Sequence, residues 1–157
     1  MAINYARHYI DKSDIDSVIK VLKSNLLTQG PVSQKFERKL KSKFGSKYCC
    51  VVANGTAALH LSGLALGWKK GDIVLTSSMT FLASANAIVY CGATPSFVDI
   101  DSTYTIDPNK LEDKIKRYQN KGKKVKAIIG VDYAGHPCDW TALKFLSKKY
   151  NIKLIND

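Results

Sequence analysis

Five short apolar runs rich in β-branched residues, each separated from the next by a stretch with helical spacing, constrain this chain more than any other feature. The runs are YCCVVA (48–53), DIVLTS (72–77), PSFVDI (95–100), VKAIIGV (125–131) and IKLI (152–155). A run that is apolar along its whole length, and not merely at alternate positions, belongs to a strand buried on both faces. Between the runs lie TAALHLSGLAL, FLASANAIVY, NKLEDKIKRY and TALKFLSKKY. Each is about ten residues or slightly more, as crossover helices between parallel neighbours must be. The fold class that follows is α/β: a three-layer sandwich whose mostly parallel sheet is covered by helices on both faces. Ligands of such sheets collect at the C-terminal ends of the strands.

Ahead of this alternation the texture differs. Ile15, Val18, Ile19 and Leu22 recur at helical spacing, with Asp11 or Ser13 available as N-cap, and describe an amphipathic helix ending near Ser24. Gly30 and Pro31 then break the chain. Val32, Phe36 and Leu40 restore the helical period up to Gly45, placed to be a C-terminal cap. The organisation read from this is an N-terminal helical segment at 1–45 followed by the α/β part at 46–157.

Composition serves mainly to exclude. With 45% hydrophobic residues in 157, disorder is disfavoured and one domain suits the length. No apolar run approaches the roughly 18 residues of a membrane span, and the N-terminus lacks the apolar stretch of a signal peptide, so the chain reads as cytoplasmic. Cys49, Cys50, Cys91 and Cys138 form no C-x-x-C pair and read as buried free thiols. The net charge of +11 comes from 24 basic residues, of which only Arg7, Arg38 and Arg117 are arginine. Nucleic-acid readout favours the planar guanidinium, so the basic run from Lys110 to Lys126 reads as an exposed helix and its following loop.

Three places carry candidate chemistry. The first run ends at Ala53 and passes through Asn54, Gly55, Thr56 and Ala57 into a helix. Small residues there leave outward-pointing N–H groups, the helix dipole and the Thr56 hydroxyl free to hold an anion, while Gly55 permits close approach. Against this stands an ordinary turn with Thr as cap. The second run delivers Phe81 at the start of the next helix, where an aromatic ring can stack on a planar ligand or simply join the core. The last run delivers Asn156 and Asp157 to a C-terminal strand end. His8, His60 and His136 form no ligand set, and His136, Cys138 and Asp139 lie in one short loop without partners elsewhere, so no metal site is assigned.

LTQGP, NGTAALHL, TFLASANAIVYCGATPSFVDID, VDYAG and KLIND, taken in order, resemble the sugar-nucleotide aminotransferases of DegT and StrS type, pyridoxal-phosphate enzymes of fold type I. The resemblance runs nearly from end to end. Within the family, VDYAGHPCDW and the LTQGP opening are most similar to the branch acting in pseudaminic acid biosynthesis, which uses glutamate to aminate C4 of a UDP-linked 4-keto-6-deoxy-N-acetylhexosamine. By this resemblance Thr56 and Ala57, beside Gly55, would contact the phosphate of pyridoxal 5'-phosphate, Phe81 would stack on its ring, and Asp157 would face its ring nitrogen. Asp132 stands where many relatives have His, near the cofactor or substrate, or else as a solvated loop carboxylate.

The resemblance also implies what is lacking. Relatives carry, beyond the point matching Asp157, a lysine in an S-F-H-x-x-K context that anchors the cofactor covalently and serves as general base. None of the 21 lysines here stands in that context, and no catalytic residue is assigned. The chain is therefore expected to be the N-terminal portion of an aminotransferase, an incomplete large domain, inactive alone and homodimeric in its full-length form. Its YCCVVA run is expected to want a strand neighbour. Two other readings stay open: an anion-binding module without catalysis, and a non-catalytic subunit that pairs with a second half.

Overall fold

The computed structural model describes residues 7–157. Residues 1–6, on which the reading of a leaderless N-terminus partly rests, lie outside it. The chain divides into two compact units, 1–51 and 52–157.

The first unit holds helices α1 (Lys12–Leu22) and α2 (Pro31–Phe44). Asp11 caps α1, its Oδ1 accepting the N–H groups of Ser13 at 2.7 Å and Asp14 at 3.1 Å, while Asp14 Oδ2 accepts the N–H of Asp11. This reciprocal box satisfies donors that a helix start cannot satisfy internally. Pro31 opens α2, where its missing N–H costs nothing, and Gly45 closes it at φ 60°. Neither helix buries a residue: Ile15, Val18, Leu22 and Phe36 all remain exposed.

The second unit alternates as read. It runs α3 (Gly55–Ala65), β1 (Ile73–Ser77), α4 (Ala83–Tyr90), β2 (Thr94–Val98), α5 (Pro108–Asn120), β3 (Val125–Gly130), a single 3-10 turn (Tyr133–Gly135), α6 (Trp140–Tyr150) and β4 (Lys153–Asn156). The sheet is parallel throughout in the order β2-β1-β3-β4. The chain leaves β1 for one side and returns to build on the other, so the C-terminal ends of β1 and β3 flank a topological switch point.

Helices cover both faces. On one, Ile73, Leu75, Val125 and Ile128 of the sheet pack with Leu111 and Ile115 of α5 and Leu143 and Leu146 of α6. On the other, Val74, Ala127 and Ile129 pack with Leu59 of α3 and Ala87 and Ile88 of α4. Val125 and Ile128, three apart, share a face because Lys126 is an extra residue in β3 opposite the Ile73–Val74 step. Burying each Val, Leu or Ile here contributes about 1.5–3 kcal/mol. At the tip of β3, Gly130 makes room for α6: a Cβ there would lie 2.8 Å from Trp140 Cη2 and 3.1 Å from Leu143 Cδ1. Among the described residues no helix is long and apolar enough to cross a membrane.

Two expectations require correction. YCCVVA is not a strand: residues 48–53 are irregular, and the N–H of Val51 donates to the Glu37 carboxylate at 2.9 Å instead of to a ladder. An apolar, β-branched run becomes a strand only where a neighbour offers its backbone groups. The cysteines are free as read, but only Cys138 is buried: Cys49 and Cys50 fall in that irregular segment, and Cys91, just past the end of α4, is partly buried.

Candidate cofactor-binding site

Three C-terminal strand ends and two helix starts carry the candidate residues. At α3, Asn54 holds an extended backbone at φ −164° and its Oδ1 accepts the Ala57 N–H at 2.8 Å. The cap is therefore Asn54 and not Thr56, because the residue just outside the first helical turn is the one whose side chain can bend back to it. The N–H groups of Gly55 and Thr56 are left pointing out of the helix start, where no intrahelical acceptor exists. Space at Gly55 is open, with nothing within 4 Å of where a Cβ would stand. Leu59, one turn on, anchors this helix to α4 through the shared core.

After β1 the chain turns tightly. Ser77 Oγ accepts the Met79 N–H at 3.0 Å and donates to the Met79 carbonyl at 2.8 Å, which sets the course of the chain into Thr80 and Phe81. Phe81 stands just outside α4 and is 79% exposed, so it presents its ring to the surroundings and is not core. Three residues on, Ser84 is fully buried; its N–H donates to the Phe81 carbonyl at 3.1 Å. Its hydroxyl donates to Asp157 Oδ2 at 2.5 Å, and Thr80 Oγ1 lies 2.8 Å from Ser84 Oγ.

Asp157 prolongs β4 past its last strand residue. Its N–H donates to the Gly130 carbonyl and its own carbonyl accepts the Asp132 N–H, each at 2.8 Å. The Asp132 carboxylate then gathers the loop: Oδ1 accepts the Cys138 N–H at 2.9 Å and Trp140 Nε1 at 3.0 Å, and Oδ2 accepts Asn156 Nδ2 at 3.2 Å. Burial pushes this carboxyl up, but the hydrogen bonds from Cys138, Asn156 and Trp140 outweigh it and hold the group below the usual carboxylate range. Asp132 is thus no solvated loop carboxylate; it braces a turn in which Ala134 adopts φ 51°. Burial, with the nearby Asp132 charge adding to it, pushes the Cys138 thiol up to about 11. Its Sγ donates to the Val131 carbonyl, so the thiol is a packed core group.

Phe81 and Asp157, 76 positions apart in sequence, are therefore joined through one residue, Ser84. Gly55, Thr56 and Ala57 share the α3–α4 side of the sheet with them, but no hydrogen bond links the helix start to the Asp157 group. His60 packs edge-on against Tyr90 with ring centroids 5.5 Å apart. Among the described residues no cluster of three or more His, Cys, Asp or Glu is arranged to hold a metal. The basic helix α5 is partly neutralised, Lys110 pairing with Asp99 after β2 at 2.9 Å and Lys116 with Glu112 of the same helix at 3.3 Å.

This donor set suits a phosphate-bearing aromatic cation. Outward N–H groups and the Thr56 hydroxyl suit a phosphate, the exposed Phe81 ring suits a planar heterocycle, and the seated Asp157 carboxylate suits a protonated ring nitrogen. Sequence reasoning missed Asn54, Thr80 and Ser84. Ser84 had left a signal: it is the one hydroxyl on the apolar face of ASANAIV, one turn before Ala87 and Ile88.

Comparison with known proteins places this geometry in context. The family model described as the DegT/DnrJ/EryC1/StrS aminotransferase family matches residues 8–157. A UDP-4-amino-4,6-dideoxy-N-acetyl-beta-L-altrosamine transaminase of Campylobacter jejuni is 41% identical over 155 residues, 99% of this chain and 40% of the relative. Among solved structures, Helicobacter pylori PseC, an aminotransferase involved in the biosynthesis of pseudoaminic acid, superposes with a TM-score of 0.86 at 32% identity, covering 98% of this chain and 40% of that one. Spr1654 of Streptococcus pneumoniae in its PLP form gives a TM-score of 0.87 at 30% identity over 99% of this chain and 42% of that one. The chain thus spans about 40% of the length of curated relatives that match nearly all of it.

Proposed function

Because the chain belongs to the DegT/DnrJ/EryC1/StrS aminotransferase family, we propose that it forms the part of a nucleotide-sugar aminotransferase that grips and orients pyridoxal 5'-phosphate. The observation that carries the reading is the seating of Asp157, whose backbone is clamped to Gly130 and Asp132 while Ser84 engages a single oxygen of its carboxylate. A carboxylate oriented at a strand tip and linked through Ser84 to the residue that carries an exposed aromatic ring is what a cationic heterocycle requires.

In this reading Gly55 and Thr56 hold the phosphate with their N–H groups and the Thr56 hydroxyl, and Phe81 covers one face of the ring. Ala57 joins them only when Asn54 swings off its N–H. Asp157 holds a proton at the ring nitrogen. When bound, pyridoxal phosphate supplies an electron sink for bond breaking at the amine-bearing carbon and carries the amino group between donor and acceptor. Residues that fix its phosphate, ring face and nitrogen thereby fix the reacting carbon.

The finer reading is amination of C4 of a UDP-linked 4-keto-6-deoxy sugar with glutamate as donor, in pseudaminic acid or related surface-sugar biosynthesis, by a cytoplasmic homodimer. The functions named for the Campylobacter and Helicobacter proteins support the sugar and its biosynthetic role; the glutamate donor, the homodimer and the cytoplasmic location are part of the proposal alone. Absorbance titration with pyridoxal phosphate, then borohydride reduction and peptide mass mapping, tests the reading. Saturable binding that Asp157→Asn weakens is the expected result, with no single-site lysine adduct, since no lysine stands in an S-F-H-x-x-K context. Absence of saturable binding, or binding indifferent to Asp157, overturns it.

A further inference from the structure

Ser84 sits on a helix surrounded by Ala83, Ala85 and Ala87, all buried, where alanine would be the better helix former. Helical serines ordinarily turn their hydroxyl back to the carbonyl four residues earlier. Ser17 does so to Ser13, and Ser62 to Ala58, each at 2.8 Å. Ser84 does not. Its hydroxyl reaches across 73 positions of sequence to Asp157 Oδ2 at 2.5 Å, the short end of the range for a hydroxyl donating to a carboxylate.

Counting protons orders the group. An ionised carboxylate only accepts, so the single hydrogen of Ser84 is committed to Asp157. Ser84 Oγ can then only accept from Thr80, whose hydroxyl must be the donor in the 2.8 Å contact. The hydrogen bonds run one way, from Thr80 through Ser84 to Asp157, and hydroxyls chained in this sense strengthen one another. The Asp157 backbone is held separately, to Gly130 and Asp132, so the chain of hydroxyls governs what remains: the rotation of the carboxylate.

We propose that Ser84, backed by Thr80, is a positioning residue that turns the Asp157 carboxylate to receive a protonated ring nitrogen. The proposal rests on the reading of Asp157 as the partner of pyridoxal phosphate. Ser84 touches neither cofactor nor substrate; it acts through Asp157.

The test uses the full chain and pyridoxamine 5'-phosphate labelled with 15N in the ring, a probe that does not condense with lysine. The ring-nitrogen chemical shift is followed against pH in the wild type and in Ser84→Ala, Thr80→Val, Thr80→Ser and Asp157→Asn. In Ser84→Ala the bound ring nitrogen is expected to lose its proton about one pH unit lower than in the wild type, with affinity about tenfold weaker. Thr80→Val moves the same way by less, and Thr80→Ser, which keeps the hydroxyl, matches the wild type. Should Ser84→Ala and Thr80→Val leave the titration unmoved while Asp157→Asn shifts it, the positioning role is overturned and the cofactor reading stands. If Asp157→Asn leaves it unmoved as well, both fall together.

Discussion

Trp140 donates its indole N–H to Asp132 Oδ1 at 3.0 Å, so the first residue of α6 is pinned to the loop that follows β3. The same carboxylate accepts from Cys138 and Asn156, and the Asp132 N–H holds the Asp157 carbonyl. One side chain thus ties the start of α6, the β3 loop and the tip of β4 into a single support for the candidate site.

Removing that carboxylate leaves the Cys138 N–H and the Trp140 indole N–H without their acceptor. Asp132→Ala is expected to cost about 2 kcal/mol in urea unfolding. The pH dependence follows from the lowered folded value. Asp132 contributes its full stability above the ordinary aspartate range, and that contribution fades as pH falls through the depressed folded value. The difference between wild type and variant should therefore shrink toward low pH; a difference constant across the acid range would show that the carboxylate charge is not what holds the loop.

Glu112 joins α5 to α6 by accepting from Lys149 Nζ at 2.6 Å and the Tyr150 hydroxyl at 2.7 Å. Hydrogen bonds from Lys149 and Tyr150, with Lys116 adding to them, pull its carboxyl down to about 2. A depressed carboxyl stabilises the fold above its unfolded value and ceases to do so as pH falls toward about 2. Glu112→Gln should flatten the urea midpoint between about pH 4.5 and 2 relative to wild type. Raising the salt should narrow the gap, because Lys116 and Lys149 are exposed. Parallel acid profiles of the two proteins would refute this.

Gly130 lets the Trp140 ring lie against the end of β3. A methyl group there would stand 2.8 Å from Trp140 Cη2, closer than carbon atoms approach. Gly130→Ala is expected to cost about 1–3 kcal/mol and to shift Trp140 fluorescence. Unchanged stability and an unchanged emission maximum would mean that the ring has room to retreat.

Asn54 offers a separation of cap from anion site. Asn54→Asp keeps an acceptor for the Ala57 N–H, so thermal stability should stay within about 0.5 kcal/mol. The added negative charge beside Gly55 and Thr56 should weaken pyridoxamine phosphate binding several-fold at low salt. Equal affinity in a calorimetric titration would remove the phosphate from this helix start.

What the sequence determined by itself is what short stretches of chain settle internally. Period and length mark β1 to β4 and the crossover helices, while Asp11, Gly30–Pro31 and Gly45 mark helix ends within a residue or two. These signals survive because caps, breakers and hydrophobic spacing act over one or two turns. The order β2-β1-β3-β4, the irregular course of residues 48–53, and the partners of Asp132 and Asp157 were decided only by tertiary structure. A strand requires a neighbour as well as a composition, and Ser84 meets Asp157 only after α4 and β4 have been packed into place. Residues far apart in sequence carry no mark of the hydrogen bond they will share, since its geometry is supplied by the sheet between them.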